Sequence, residues 1–95
     1  MTGTAPRVKL QLPRVLEPAV GRVRMELTGC TITEALQCAF AQLPSLQHHL
    51  MLESGELRPH ILCLVNDSLI DRKEHATKQL ADGDEILIHQ AISGG

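Results

Sequence analysis

The chain is 95 residues long, enough for one domain with a modest core, and its nine basic and eleven acidic residues leave a formal charge of −2. With no Trp, no Tyr and Phe40 as its one aromatic residue, it lacks the clustered positive charge that neutralises phosphates and the platforms that stack bases. Nucleic-acid binding is therefore excluded as its main task, and no apolar run approaches the ~20 residues that span a bilayer.

Residues 1–6 show no basic region leading into an apolar stretch, so no secretory signal is expected and the expected compartment is the cytoplasm. The three cysteines, Cys30, Cys38 and Cys63, are odd in number and have no CxxC spacing, which agrees with a reducing compartment. Residues 1–7 read as a disordered arm. Val8 to Leu12 then alternates apolar and polar, the period of a half-buried strand. Pro13, Pro18 and Gly21 punctuate a connection, and Arg22 to Thr28 alternates again with Val23, Met25 and Leu27 on one face. The two segments predict a hairpin with a loop too long for a two-residue turn.

Thr31-Ile32-Thr33-Glu34 fits a capping box, in which the hydroxyl accepts from the amide three residues on and the carboxylate reaches back. Ala35, Leu36, Ala39, Phe40 and Leu43 follow at helical spacing as one apolar stripe. Pro44 should end that helix near Leu43. Leu46 and Leu50 suggest a further short turn of helix. Glu53 to Pro59 is a polar loop, and His60 to Val65 a continuous apolar run suited to a strand. Asn66-Asp67-Ser68 is turn chemistry, Leu69-Ile70 starts a short returning strand, and Asp71 to Gln79 is polar and irregular. Asp82-Gly83-Asp84 marks another turn, with Gly83 at a positive φ, before a last strand over residues 85–90. One amphipathic helix among short strands predicts an α+β domain over residues 8–90: a single mixed sheet of four to five strands with one main helix across one face. Residues 91–95 remain as a flexible tail.

Leu80 to Ile88, with its Asp-Gly-Asp-Glu turn, is followed by Ala91-Ile92-Ser93-Gly94-Gly95. An acidic Gly turn, an apolar strand and a Gly-Gly pair in that order resemble the ThiS/MoaD family of ubiquitin-like sulfur carriers, and Asn66 after the preceding strand matches the Asn-containing turn common there. The resemblance implies a β-grasp fold and a protein that is a carrier, not an enzyme. It implies that Gly95 is adenylated by an ATP-dependent partner and converted to a thiocarboxylate. Ile92, Ser93 and Gly94 would thread the partner's active site, and a downstream synthase would accept the sulfur. The pathway stays open among cysteine, thiamine, molybdopterin and sulfur-containing metabolites; His89-Gln90 stands where many molybdopterin-type members carry two prolines. A ubiquitin-like modifier joined to lysines through Gly95 and a non-catalytic regulatory subunit are the alternatives. No permanently bound cofactor is implied, ATP being used by the activating partner.

Glycine suits such an end because it has no Cβ and tolerates backbone angles closed to other residues. Residues 91–95 reach roughly 17 Å when extended, at ~3.3–3.6 Å per residue. Docking falls to the folded body. Leu62, Leu64 and Leu87 should face away from the helix, opposite Ile61, Cys63, Val65, Ile86 and Ile88, and such an apolar patch marks a partner site unless the Glu53–Pro59 loop or self-association covers it. Asp82, Asp84 and Glu85 read as a solvated turn, with pairing to a basic partner as the second reading. The five histidines and three cysteines show no HExxH or zinc spacing, so no metal site is expected.

Overall fold

The computed structural model describes residues 5–91. Five strands form one mixed sheet: β1 (Arg7–Gln11), β2 (Arg24–Thr28), β3 (Ile61–Val65), β4 (Ser68–Leu69) and β5 (Glu85–Gln90), in the order β2-β1-β5-β3-β4. The central pair β1 and β5 runs parallel, with Leu10 opposite Ile86, and the other neighbours run antiparallel. β1 starts at Arg7, one residue inside the segment read as a disordered arm. The acidic turn explains it: Arg7 N donates to Asp82 Oδ1 at 2.7 Å and Arg7 O accepts from Gly83 N at 2.8 Å, which pins the start of the strand.

The β1–β2 connection is long because it carries structure of its own, a 3-10 turn over Arg14–Leu16 and a one-turn helix α1 (Glu17–Val20) that bury Leu16 and Val20. The main helix α2 (Ile32–Gln42) ends where Pro44 requires and is followed by α3 (Pro44–Leu50), which buries Leu46 and Leu50. The capping box forms with one change: Thr31 Oγ1 accepts from Glu34 N at 3.2 Å, but Glu34 Oε1 reaches one residue further back, to Cys30 N at 2.9 Å. Of the apolar stripe on α2, Ala35, Leu36 and Ala39 are buried and Phe40 and Leu43 pack at the margin of the core.

The core lies between the helices and one face of the sheet. Val8 and Leu10 of β1, Met25 and Leu27 of β2, Ile61, Cys63 and Val65 of β3, and Ile86 and Ile88 of β5 all point into it. A fully buried aliphatic side chain contributes about 1.5–3 kcal/mol, so an aliphatic core of this kind stabilises the domain without aromatic bulk. Among the described residues no helix is long and apolar enough to cross a membrane.

Candidate functional site

The outer face of the sheet is divided. On β1 and β2 it presents Arg7, Lys9, Gln11, Arg24, Glu26 and Thr28, all exposed. On β3 and β5 it presents Leu62, Leu64 and Leu87, all half-buried. Strand alternation imposes this: with Ile86 and Ile88 inward, Leu87 must point out. The register then brings the leucines together. Leu64 stands directly opposite Leu87 on one side and opposite Leu69 of β4 on the other. Leu69 is 61% exposed, one of two large hydrophobic residues so open among the described residues.

Leu69 is the member that the sequence reading did not single out. The signal was present, since consecutive left-handed residues at Asn66 (φ 50°) and Asp67 (φ 71°) make the tight hairpin that sets Leu69 opposite Leu64. Nor does the Glu53–Pro59 loop cover the leucine face. It belongs to the helical layer, where Arg58 N donates to Leu50 O at 2.9 Å and Leu57 packs against the core.

The acidic turn has its carboxylates committed to the fold. Asp82 Oδ1 accepts from Arg7 N, Asp84 Oδ2 from Ala81 N at 2.8 Å, and Asp84 Oδ1 from Asn66 Nδ2 at 2.9 Å. Asn66 Oδ1 in turn accepts from Glu85 N at 3.1 Å, and Lys9 N donates to Asp84 O at 3.0 Å. The turn thus ties together the ends of β1, β3 and β5. Gly83 has the expected positive φ, 89°. Glu85 remains exposed beside it on the outer face.

β5 leads to Ala91, whose N donates to His60 O at 2.8 Å, so the last described residue is held against the start of β3. Leu62 lies two residues along β3 from that contact. Ile92, Ser93, Gly94 and Gly95, the predicted threading and thiocarboxylate residues, lie outside the described residues.

Among the described residues, Cys63 and His75 are titratable groups that are buried. Cys63 points into the core, and burial pushes its thiol up to about 11 against the nearby Arg72 charge. His75 is 7% exposed, its Nε2 lies 3.2 Å from Ile70 O, and burial lowers its pKa. Among the described residues no group of three or more His, Cys, Asp or Glu could hold a metal ion.

A sequence model described as the ThiS family matches residues 21–95. The sulfur carrier protein ThiS of Escherichia coli is 31% identical over 62 residues, covering 65% of this chain and 89% of that protein. The solution structure of small archaeal modifier protein 1 from Methanosarcina acetivorans superposes with a TM-score of 0.79 at 29% identity, over 98% of this chain and 100% of that one. The crystal structure of the Amycolatopsis orientalis BexX/CysO complex matches with a TM-score of 0.78 at 25% identity, over 93% of this chain and 99% of that one. The sheet order, the helix across its inner face and these matches agree, and the chain belongs to the ThiS family of sulfur carriers, with the β-grasp fold of ubiquitin-like proteins.

Proposed function

We propose that the protein delivers sulfur as a thiocarboxylate formed on Gly95, for which Gly95 must be the last residue of the mature chain. The observation that carries this reading is the placing of the leucine face: Leu62, Leu64 and Leu87 sit on the two strands whose paired ends hold Ala91. A partner seated on those leucines lies beside the attachment point of residues 92–95.

A C-terminal carboxylate has a reference pKa of about 3.3–3.7, so at neutral pH it is ionised and a poor electrophile. Transfer of AMP from ATP to the carboxylate, with release of pyrophosphate, makes an acyl-adenylate. A hydrosulfide-level nucleophile then attacks the acyl carbon, the bond to AMP breaks, AMP leaves and one proton is released. The product is a thiocarboxylate, which passes its sulfur to an accepting synthase. In both steps the chain is the substrate and its partners are the catalysts. Activation occurs in the cytoplasm, where ATP is available.

Intact mass spectrometry after incubation with ATP, a sulfide source and the host's adenylating enzyme tests this. A species heavier by the difference between sulfur and oxygen is expected. Its absence with every adenylating enzyme of the host overturns the reading. The likeness to an archaeal modifier protein favours one second reading, transfer of the same activated Gly95 to lysines of other proteins. Gly-Gly remnants on lysines, with no thiocarboxylate, would select it.

A further inference from the structure

Five consecutive backbone carbonyls, those of residues 57–61, are each occupied, and one side chain takes four of them. Arg72 Nη1 donates to Leu57 O at 3.0 Å. Its Nη2 lies 2.6 Å from Arg58 O, 3.1 Å from Pro59 O and 2.7 Å from Ile61 O. The fifth carbonyl, of His60, accepts from Ala91 N. The segment is thus held between Arg72 on one side and the end of β5 on the other.

The register shows why a side chain is needed there. β4 pairs Leu69 with Leu64, and Ile70 N still donates to Cys63 O at 3.0 Å. Continuing the same ladder would set the Arg72 backbone opposite Ile61. The chain departs instead at Asp71, whose Oδ1 accepts from Lys73 N at 3.0 Å and caps a 3-10 turn over Arg72–Glu74. The guanidinium folds back and supplies the donors that the missing strand would have provided. Its planar fork presents several N–H groups at fixed angles, which an ammonium cannot reproduce.

We infer that Arg72 is a positioning residue for activation of the C-terminus: it fixes residues 57–61, through His60 O it fixes Ala91, and so it sets the point from which residues 92–95 enter a partner. The inference rests on the carrier reading above. Docking on the leucine face sets affinity, whereas the launching point sets the fraction of docked complexes that react. Loss of the guanidinium therefore lowers kcat and leaves KM in place. A residue that only maintains folding behaves differently, because a partly unfolded carrier lowers the concentration of usable substrate and raises KM alone.

The test measures ATP–pyrophosphate exchange by the host's purified adenylating enzyme with wild-type, Arg72→Gln and Arg72→Lys carriers, together with amide hydrogen exchange at Ala91. For Arg72→Gln we expect kcat on the order of tenfold lower with KM within about twofold, and faster exchange at Ala91. Arg72→Lys should recover part of both. Wild-type kcat in Arg72→Gln, a loss confined to KM, or a lower kcat with Ala91 still protected overturns the assignment. No exchange with the wild-type carrier would remove the carrier reading, and this inference with it.

Discussion

Asn66 Nδ2 donates to Asp84 Oδ1 across 2.9 Å, joining the β3–β4 turn to the turn that launches β5. Both residues also hold backbone amides, Asn66 that of Glu85 and Asp84 that of Ala81. The pair therefore acts as one unit at the lower end of three strands. Asn66→Gly keeps the left-handed backbone at φ 50° while removing the amide group. This change and Asp84→Ala should each cost about 1 kcal/mol in urea unfolding. The double variant should lose less than the sum by about 0.5–1 kcal/mol. Strict additivity would mean that the contact contributes nothing beyond its separate amide bonds.

The leucine face can be broken without touching the core. Leu69 is exposed and lies on a two-residue strand, so Leu69→Asp should shift stability by less than about 0.5 kcal/mol. Placed beside Leu64, the new carboxylate should weaken binding to the activating enzyme at least about tenfold, the effect of removing an apolar anchor. Titration calorimetry reads the change, and Lys9→Gln on the polar half is the control. Equal affinity for Leu69→Asp and wild type would place the docking surface elsewhere.

Much of this was legible in the chain. The alternation at Val8 to Leu12 and the short apolar run at Ile86 to Ile88 after the Asp82-Gly83-Asp84 turn are both local signals, and both strands formed within a residue of their expected bounds. Pro44 marked the end of α2 because a missing N–H and a ring clash act locally. Leu62, Leu64 and Leu87 could be placed on one face by counting, and the Asn66-Asp67 turn sets Leu69 opposite Leu64, but the meeting of Leu64 with Leu87 depends on pairing between distant strands, which no local pattern carries. Arg72 was invisible for a similar reason: its four acceptors lie eleven to fifteen residues earlier, in a segment read as a polar loop with the start of a strand. The start of β1 at Arg7 was missed because its partners, Asp82 and Gly83, lie at the other end of the chain.

His75 gives the fold an acid-sensitive point. Burial lowers its pKa from 6.5, the hydrogen bond to Ile70 O and the Asp71 charge oppose that shift, and the Arg72 charge adds to it. The folded state thus favours neutral His75, and the unfolded chain binds the proton more readily. Stability is fully present above the ordinary value of 6.5 and is lost as pH falls below it through the folded value. His75 O also accepts from Thr33 N, so protonation should loosen the first turn of α2. Urea midpoints should fall with acid more steeply for wild type than for His75→Gln. Parallel profiles would show that His75 does not drive the dependence.

Cys63 should be chemically silent in the folded protein. It has no exposed surface and its pKa is about 11, so at pH 8 only about one molecule in a thousand carries the thiolate that reacts. Cys30 and Cys38 are only partly buried. A chromogenic thiol reagent should therefore titrate fewer thiols per native chain than per unfolded chain. Peptide mapping should find Cys63 unlabelled until denaturant is added. Labelling of native Cys63 at the rate of Cys30 would mean that β3 opens far more readily than its packing allows.

Gly29 and Gly83 need glycine for different reasons, space at one and backbone angle at the other, and Asn should rescue only Gly83. At Gly83 the backbone has φ 89°, and a Cβ there would meet nothing within 4 Å. Gly83→Ala should cost about 1–2 kcal/mol from the left-handed backbone alone, and Gly83→Asn should cost less because Asn tolerates that region. At Gly29 the restriction is space. A Cβ would lie 2.6 Å from Ala35 N and 2.9 Å from Ala35 Cα, both backbone atoms of α2 that cannot rotate aside. The chain passes this close because Gly29 N donates to Pro6 O at the end of the β1–β2 ladder while Thr31 starts the helix two residues later. Gly29→Ala must push α2 away from β2 and should cost about 3 kcal/mol, the upper end of overpacking penalties. Gly29→Asn should be no better than Gly29→Ala, since the obstacle is the Cβ itself. Chemical denaturation of the four variants decides the matter, and a mild Gly29→Ala would show that the helix start can shift at little cost.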